Sequence, residues 1–222
     1  MTERRILVIL PHPDDEAFGA GGTLAMHIHN GAHITYACLT LGEMGRNMGF
    51  PPFASRVTLP DIRRKELEAS CRAIGIQDLR MLGFHDKTIE FEDQHMLDEQ
   101  IDALISELQP TLVITFYPGY SVHPDHDASG AAVIRTIGRL SPDKRPSVQC
   151  IAFASNSEQD LGQPDVTIDV KPFLQQKLAS IQAHRSQFQA AELMGKAPLK
   201  DQELIKRYGV ERFWTYRFDE TN

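Results

Sequence analysis

Ile6-Leu7-Val8-Ile9-Leu10 is an unbroken aliphatic run near the start of the chain. A strand with one wet face alternates apolar and polar residues, so a run of this kind belongs to a strand covered on both faces. Similar runs recur at His33–Leu41, Leu79–Leu82, Thr111–Phe116 and Val148–Phe153, and Val166–Val170 reads as a sixth. Helical patterns fall between them, at Ala17–Asn30, Pro60–Ile74, Met96–Leu108, Asp127–Leu140 and Pro172–Phe188. Pro60 suits a first helical turn, Gly75 suits a C-cap, and Pro110 stops the third helix. Strands alternating with helices imply right-handed β-α-β units. The expected fold is therefore α/β: a Rossmann-like, doubly wound, mainly parallel sheet with helices on both faces. In the common order 3-2-1-4-5, strands 1 and 4 are neighbours, and ligands bind beyond their C-terminal ends where the winding reverses. Chemistry is expected just after Leu10 and just after Phe116.

Two loops at those places carry dense polar clusters. Pro11-His12-Pro13-Asp14-Asp15-Glu16 follows the first strand, and His123-Pro124-Asp125-His126-Asp127 lies beyond the fourth. One histidine near a strand end is commonly structural, and acids ahead of a helix commonly cap it. Two such clusters on loops that meet would repel or desolvate each other unless a cation lay among them. Two imidazoles and a carboxylate with one open position describe a catalytic zinc site. Neither loop contains cysteine, which excludes a closed thiolate site, and imidazole disfavours Mg²⁺ and Ca²⁺. Spacing alone does not decide whether His123 or His126 is the ligand. Asp127 reads as a helix cap. A dinucleotide-binding protein would need Gly-x-Gly-x-x-Gly after the first strand, and the carboxylates there would repel a pyrophosphate. A serine hydrolase would need a Gly-x-Ser-x-Gly elbow, which is absent. A metal-dependent phosphoesterase often uses two metals and more ligands. A non-catalytic zinc-binding protein is a further alternative.

The 222 residues suit a single domain over 1–222, with a C-terminal elaboration from about 190. The formal charge of −7 argues against a dedicated nucleic-acid binder, which carries a basic face. No apolar run approaches the roughly 20 residues that span a bilayer, and Met1-Thr2-Glu3-Arg4-Arg5 ahead of the first run does not make a signal peptide. No membrane or nucleic-acid partner is therefore expected. Cys38, Cys71 and Cys150 are far apart and odd in number, so a reducing cytoplasm is the simplest setting. Cys38 and Cys71 read as buried small apolar residues. Phe213, Trp214, Tyr216 and Phe218 alternate partially and read as a final strand or an oligomer contact.

The motifs Pro-His-Pro-Asp-Asp-Glu at 11–16 and His-Pro-Asp-His at 123–126 resemble the LmbE/PIG-L family of zinc-dependent N-acetylglucosamine deacetylases. Arg63-x-x-Glu66 and His184-Arg185-Ser186-Gln187 extend the resemblance over most of residues 5–188. Thr40–Gly49 and Phe116–Val122 carry a closer match to the bacillithiol-biosynthesis deacetylases of the second type. The resemblance implies that His12, Asp15 and His126 bind one Zn²⁺ per chain, with another divalent transition metal as the alternative. It implies Asp14 as general base, His123 as oxyanion stabiliser and general acid, and Asp125 as the group orienting His123. The residues agree with that division. Asp14 is not needed to complete the metal shell, so it is free to accept a proton from water. Asp125 beside His123 would raise that imidazole's pKa. Either Asp14 or His123 could protonate the leaving amine.

Candidate substrate contacts are Arg46, Asn47, Arg63, Tyr120 and His184. Each has a structural alternative: an exposed loop pair for Arg46 and Asn47, a helix ion pair of Arg63 with Glu66, loop packing for Tyr120, and a buried hydrogen bond for His184. His27, His29, His33, His85 and His95 read as surface residues. The implied reaction is hydrolysis of the N-acetyl group of an N-acetylglucosamine conjugate such as N-acetylglucosaminyl malate. A chito-oligosaccharide deacetylase, or an amidase of thiol conjugates, would share every catalytic residue. The implied partner is a small-molecule amino sugar, and family members are often homo-oligomers.

Overall fold

The structure is a computed structural model and describes residues 4–188 and 201–218. Its strands are β1 (Arg5–Leu10), β2 (His33–Thr40), β3 (Asp78–Phe84), β4 (Leu112–Phe116), β5 (Ser147–Ile151), β6 (Val166–Asp169) and β7 (Val210–Thr215). They form one sheet in the order β3-β2-β1-β4-β5-β7-β6. The first five strands pair in parallel, and β7 runs antiparallel to both β5 and β6. The expected order is thus met through β5. The sixth strand does not join β5, because the last one is inserted between them. Residues 189–200, where the C-terminal elaboration was expected to begin, lie outside the described residues.

Alternation within each run sends side chains to two cores. Ile6, Val8 and Leu10 pack with Leu24, Leu67 and Cys71 on one face. Leu7 and Ile9 pack with Leu97, Ile101, Val133 and Ile137 on the other. These partners place α2 (Gly21–His29) and α3 (Leu59–Ile74) on the first face, and α4 (Gln94–Leu108) and α5 (Pro124–Gly138) on the second. Pro60 sits in the first turn of α3, and Gly75 closes it in the left-handed region at φ 101, as those residue types suggest. All three cysteines are buried and free.

The stretch expected as one helix at Ala17–Asn30 is two: α1 (Asp15–Gly19) and α2, broken at Ala20. The glycines around the break serve close packing. A Cβ on Gly19 would lie 2.7 Å from Ile151 Cδ1, and one on Gly22 would lie 2.5 Å from Val170 Cβ. Among the described residues the remaining α-helices are α6 (Ser157–Leu161), α7 (Leu174–Ala183) and α8 (Asp201–Tyr208). Helix α7 ends before the expected Phe188, and the turn that follows carries His184 and Gln187 back toward the sheet's C-terminal edge. No helix among the described residues is long and apolar enough to cross a membrane.

Pairing of Val8 with Ile114 puts Leu10 level with Phe116. The loops after β1 and β4 therefore leave the sheet side by side. The loops after β2 and β3 emerge on the same edge.

Candidate active site and metal centre

A cavity of about 340 Å³ opens where these loops meet. His12, Asp14 and Asp15 line it from the β1 loop, Met44, Gly45 and Arg46 from the β2 loop, Asp86 and Lys87 from the β3 loop, and His123 and His126 from the β4 side. Arg63 of α3 and Gln187 complete the wall.

The two imidazoles His12 and His126 have their protons assigned by their surroundings. His12 Nε2 lies 3.0 Å from Asp125 Oδ2 and 3.2 Å from Asp86 Oδ1, both acceptors, so this nitrogen carries the hydrogen. His126 Nδ1 lies 3.2 Å from the Ser121 carbonyl and carries its hydrogen for the same reason. In the neutral rings, the lone pairs of His12 Nδ1 and His126 Nε2 then face each other across 3.1 Å. Asp15 closes the triangle, 3.3 Å from His126 Nε2 and 3.6 Å from His12 Nδ1. Donors at Zn–N and Zn–O lengths of about 2.0–2.1 Å in a tetrahedron stand about 3.3 Å apart. The donor set, its spacing and its carboxylate-backed and carbonyl-backed imidazoles all fit a zinc-like cation. The donor atoms of His12, His123 and His126, and those of His12, Asp86 and Asp125, also gather within 4.8 Å. Asp86 and Asp125, however, meet His12 on its N–H side and orient the ring.

The electrostatics agree. Burial opposes a charged His12, but hydrogen bonds to Asp125 and Asp86 and the charge of Asp15 outweigh it and push the ring up to about 10. Burial would raise Asp15, yet His126 and His12 hold it down at about 2. The cluster demands positive charge, and a divalent cation would take the place of the imidazolium proton.

Asp14 stands apart from this triangle. Its backbone is strained at φ 110. Glu16 accepts its N–H at 3.1 Å, and the Arg63 guanidinium holds its carboxylate at 3.1 Å. Burial, assisted by Asp15 and Glu16 and opposed by Arg63 and His184, pushes Asp14 up to about 6. Two adjacent carboxyls thus have their pKa values driven apart, the usual mark of divided acid–base roles. Arg63 also donates to the Gly42 and Pro13 carbonyls. It makes no helix ion pair with Glu66, which instead accepts from the Ser186 backbone and hydroxyl, each at 2.7 Å.

Several expectations are corrected. The Asp125 carboxylate orients His12 rather than His123. It is 0 % exposed and accepts from His12 Nε2, from the Lys87 N–H at 2.6 Å and from the Ile89 N–H at 3.2 Å. The His123 Nδ1 instead accepts the Asp125 N–H at 3.2 Å, capping α5. Burial and the neighbouring His12 and His126 lower the His123 pKa, against the expected rise. Asp127 does not cap the helix. It accepts from Gly119 and Ser121 N–H and so fastens the β4 loop. His184 is fully buried and off the cavity wall, with Nε2 2.9 Å from Glu16 Oε1. Tyr120 packs edge-on against Tyr117 at 5.5 Å and is absent from the wall. Asn47 donates to the Gln187 carbonyl at 2.8 Å, fastening the glycine-rich loop to the turn after α7. Of the expected substrate contacts, the structure brings Arg46 and Arg63 to the cavity. His29, His33, His85 and His95 are exposed, but His27 is buried.

Asp86, Lys87, Glu16 and Gln187 are parts of the site that the sequence reading left without a role. Asp86 and Lys87 follow Phe84, the end of β3, and so lie on the same C-terminal edge of the sheet as the loops after β1 and β4.

The family model PIG-L, described as GlcNAc-PI de-N-acetylase, matches residues 7–137. The chain belongs to the PIG-L/LmbE family. It is 48 % identical over 219 residues, spanning 98 % of this chain and 100 % of the relative, to the probable N-acetyl-alpha-D-glucosaminyl L-malate deacetylase 2 of Bacillus cereus. The Bacillus subtilis protein of the same name is 44 % identical over 220 residues, 98 % of this chain and 100 % of the relative. Among solved structures, the N,N'-diacetylchitobiose deacetylase of Pyrococcus horikoshii has the same fold, with a TM-score of 0.73 and 24 % identity over 99 % of this chain and 88 % of its own.

Proposed function

We propose that the chain is a zinc-dependent deacetylase that removes the N-acetyl group of N-acetylglucosaminyl malate. The observation that carries the chemistry is the facing pair of imidazole lone pairs closed by Asp15, with an unliganded carboxylate, Asp14, next to it. The names of the full-length relatives supply the substrate. His12, Asp15 and His126 would hold the metal. When bound, it would bring the pKa of a coordinated water toward about 7 and polarise the amide carbonyl.

Asp14 accepts the proton of the attacking water, its carboxylate aimed by Arg63 and its backbone fixed by Glu16. His123 acts as the neutral ring. Its Nδ1 is occupied by the Asp125 N–H, so the hydrogen sits on Nε2, which can donate a hydrogen bond to the oxyanion as the carbonyl is attacked while keeping its proton. A neutral imidazole is a poor acid. The proton that reaches the leaving amine therefore returns from Asp14, whose raised pKa suits both receiving and giving it.

An acetate-release assay on N-acetylglucosaminyl malate, free N-acetylglucosamine and diacetylchitobiose tests the proposal. The malate conjugate is expected to turn over fastest, a chelator to abolish release, and added Zn²⁺ to restore it. No acetate from any of the three would overturn the activity. Equal rates on all three would overturn the substrate.

A further inference from the structure

We infer that the β2–β3 side of the cavity is an anion subsite, in which Lys87 and Arg46 take the carboxylates of an acidic aglycone. The inference rests on the deacetylase reading and says where in the site the substrate's acidic part lies.

In the proposed site the metal would answer Asp15 and Arg63 answers Asp14, so the carboxylates of an acidic aglycone need cations of their own on the wall. Three basic side chains line the wall: Arg46, Arg63 and Lys87. Arg63 is already committed, buried at 3 % exposure and bound to Asp14 and two carbonyls. The charged ends of Arg46 and Lys87 have no partner among the described residues and remain available to a ligand.

Their placement is one-sided. Arg46 comes from the loop after β2 and Lys87 from the loop after β3, both to the same side of the His12 loop in the order β3-β2-β1-β4. The loop after β4, from Tyr117 to His126, contains no lysine or arginine. The two cationic loops are also laced together. Asp86 accepts the Met44 N–H at 2.8 Å, and Glu43 accepts the Asp86 N–H at 3.1 Å. Lys87 stands in the left-handed region at φ 67, with its N–H fixed on Asp125, the residue that orients His12. Both cations thus sit on backbone whose position is tied to the metal-binding ring. A sugar with its acetamide between His12 and His123 has one side on which an anionic substituent is attracted, and that side is here.

The test compares kcat/KM for N-acetylglucosaminyl malate with that for the neutral methyl N-acetyl-α-glucosaminide, in the wild type, Lys87→Met and Lys87→Arg. The ratio of malate conjugate to methyl glycoside is expected to fall about 10- to 100-fold in Lys87→Met, the size of a lost charge-assisted contact. Lys87→Arg is expected to restore most of it, and added salt to erode the wild-type ratio. A ratio unchanged in Lys87→Met, or an equal loss on both substrates, would overturn the subsite while leaving the deacetylase standing. No turnover of either substrate by the wild type would overturn the deacetylase reading, and the subsite with it.

Discussion

In the proposed site Asp14, held by Arg63, is the proton acceptor and Asp125 orients the His12 ring, and single-atom changes should separate the two roles. Asp14→Asn keeps size and an oxygen for Arg63 but cannot accept a proton. Turnover should fall about 10²- to 10⁴-fold with zinc content unchanged, read by steady-state kinetics beside metal analysis. Asp125→Asn leaves one acceptor where His12, Lys87 and Ile89 all donate, so an amide N–H must face another N–H. The expected result is a 10- to 100-fold weaker hold on zinc, seen in a chelator competition, with activity largely recovered at saturating metal. The partner of Asp125 was misread from the sequence for a geometric reason. His123 and Asp125 are two residues apart at a helix start, and positions i and i+2 do not face each other. The clusters themselves were legible because their residue types are costly to bring together without a cation.

At the scale of elements, α5 governs the site because it carries Asp125 and His126 and is capped by His123. Its Gly130 rests directly on the end of β4, where an added Cβ would lie 2.3 Å from the Phe116 carbonyl oxygen. The contact is with backbone and cannot rotate away. Gly130→Ala should lower stability by about 1–3 kcal/mol in a denaturant titration and weaken zinc retention, because relief requires moving α5. Helix α2 offers a pH test. Burial, with help from the Arg4 charge, pulls the buried His27 down from 6.5 to about 4. Between those values the unfolded chain binds a proton that the fold refuses, so stability should fall as pH drops from 6.5 toward 4. Thermal melts should show a shallower dependence in His27→Gln. His27 reads as a surface residue because nothing in the local sequence marks which face of α2 is covered. The break between α1 and α2 was hidden similarly. Glycines at 19, 21 and 22 advertise weak helix, but the reason for Gly19 and Gly22 lies with Ile151 and Val170, far away in the chain.

For the molecule as a whole, the first five strands were readable because each is a short apolar run in a repeating β-α-β rhythm. The insertion of β7 was not, since antiparallel pairing with two distant strands leaves no mark on local pattern. Its anchor is ionic. Glu211 of β7 accepts the Gly22 and Thr23 N–H groups at 2.9 and 2.7 Å and binds the buried Lys177. Glu211→Gln removes one partner of a buried pair, and the penalty should be about 3–5 kcal/mol, measured as a lowered urea midpoint.

The interleaving of β7 sets an order on assembly during translation. Every residue proposed for the metal triangle is encoded before residue 127, yet the strand that fills the gap between β5 and β6 is the last of the described strands to be made. At a synthesis rate of about 5–20 residues per second, β6 waits about 2–8 s for its neighbour. Over that interval the carboxylate that caps α2 does not yet exist. A ribosome stalled after β6 would therefore carry a nascent chain with its proposed metal ligands already made and its sheet still open at one edge.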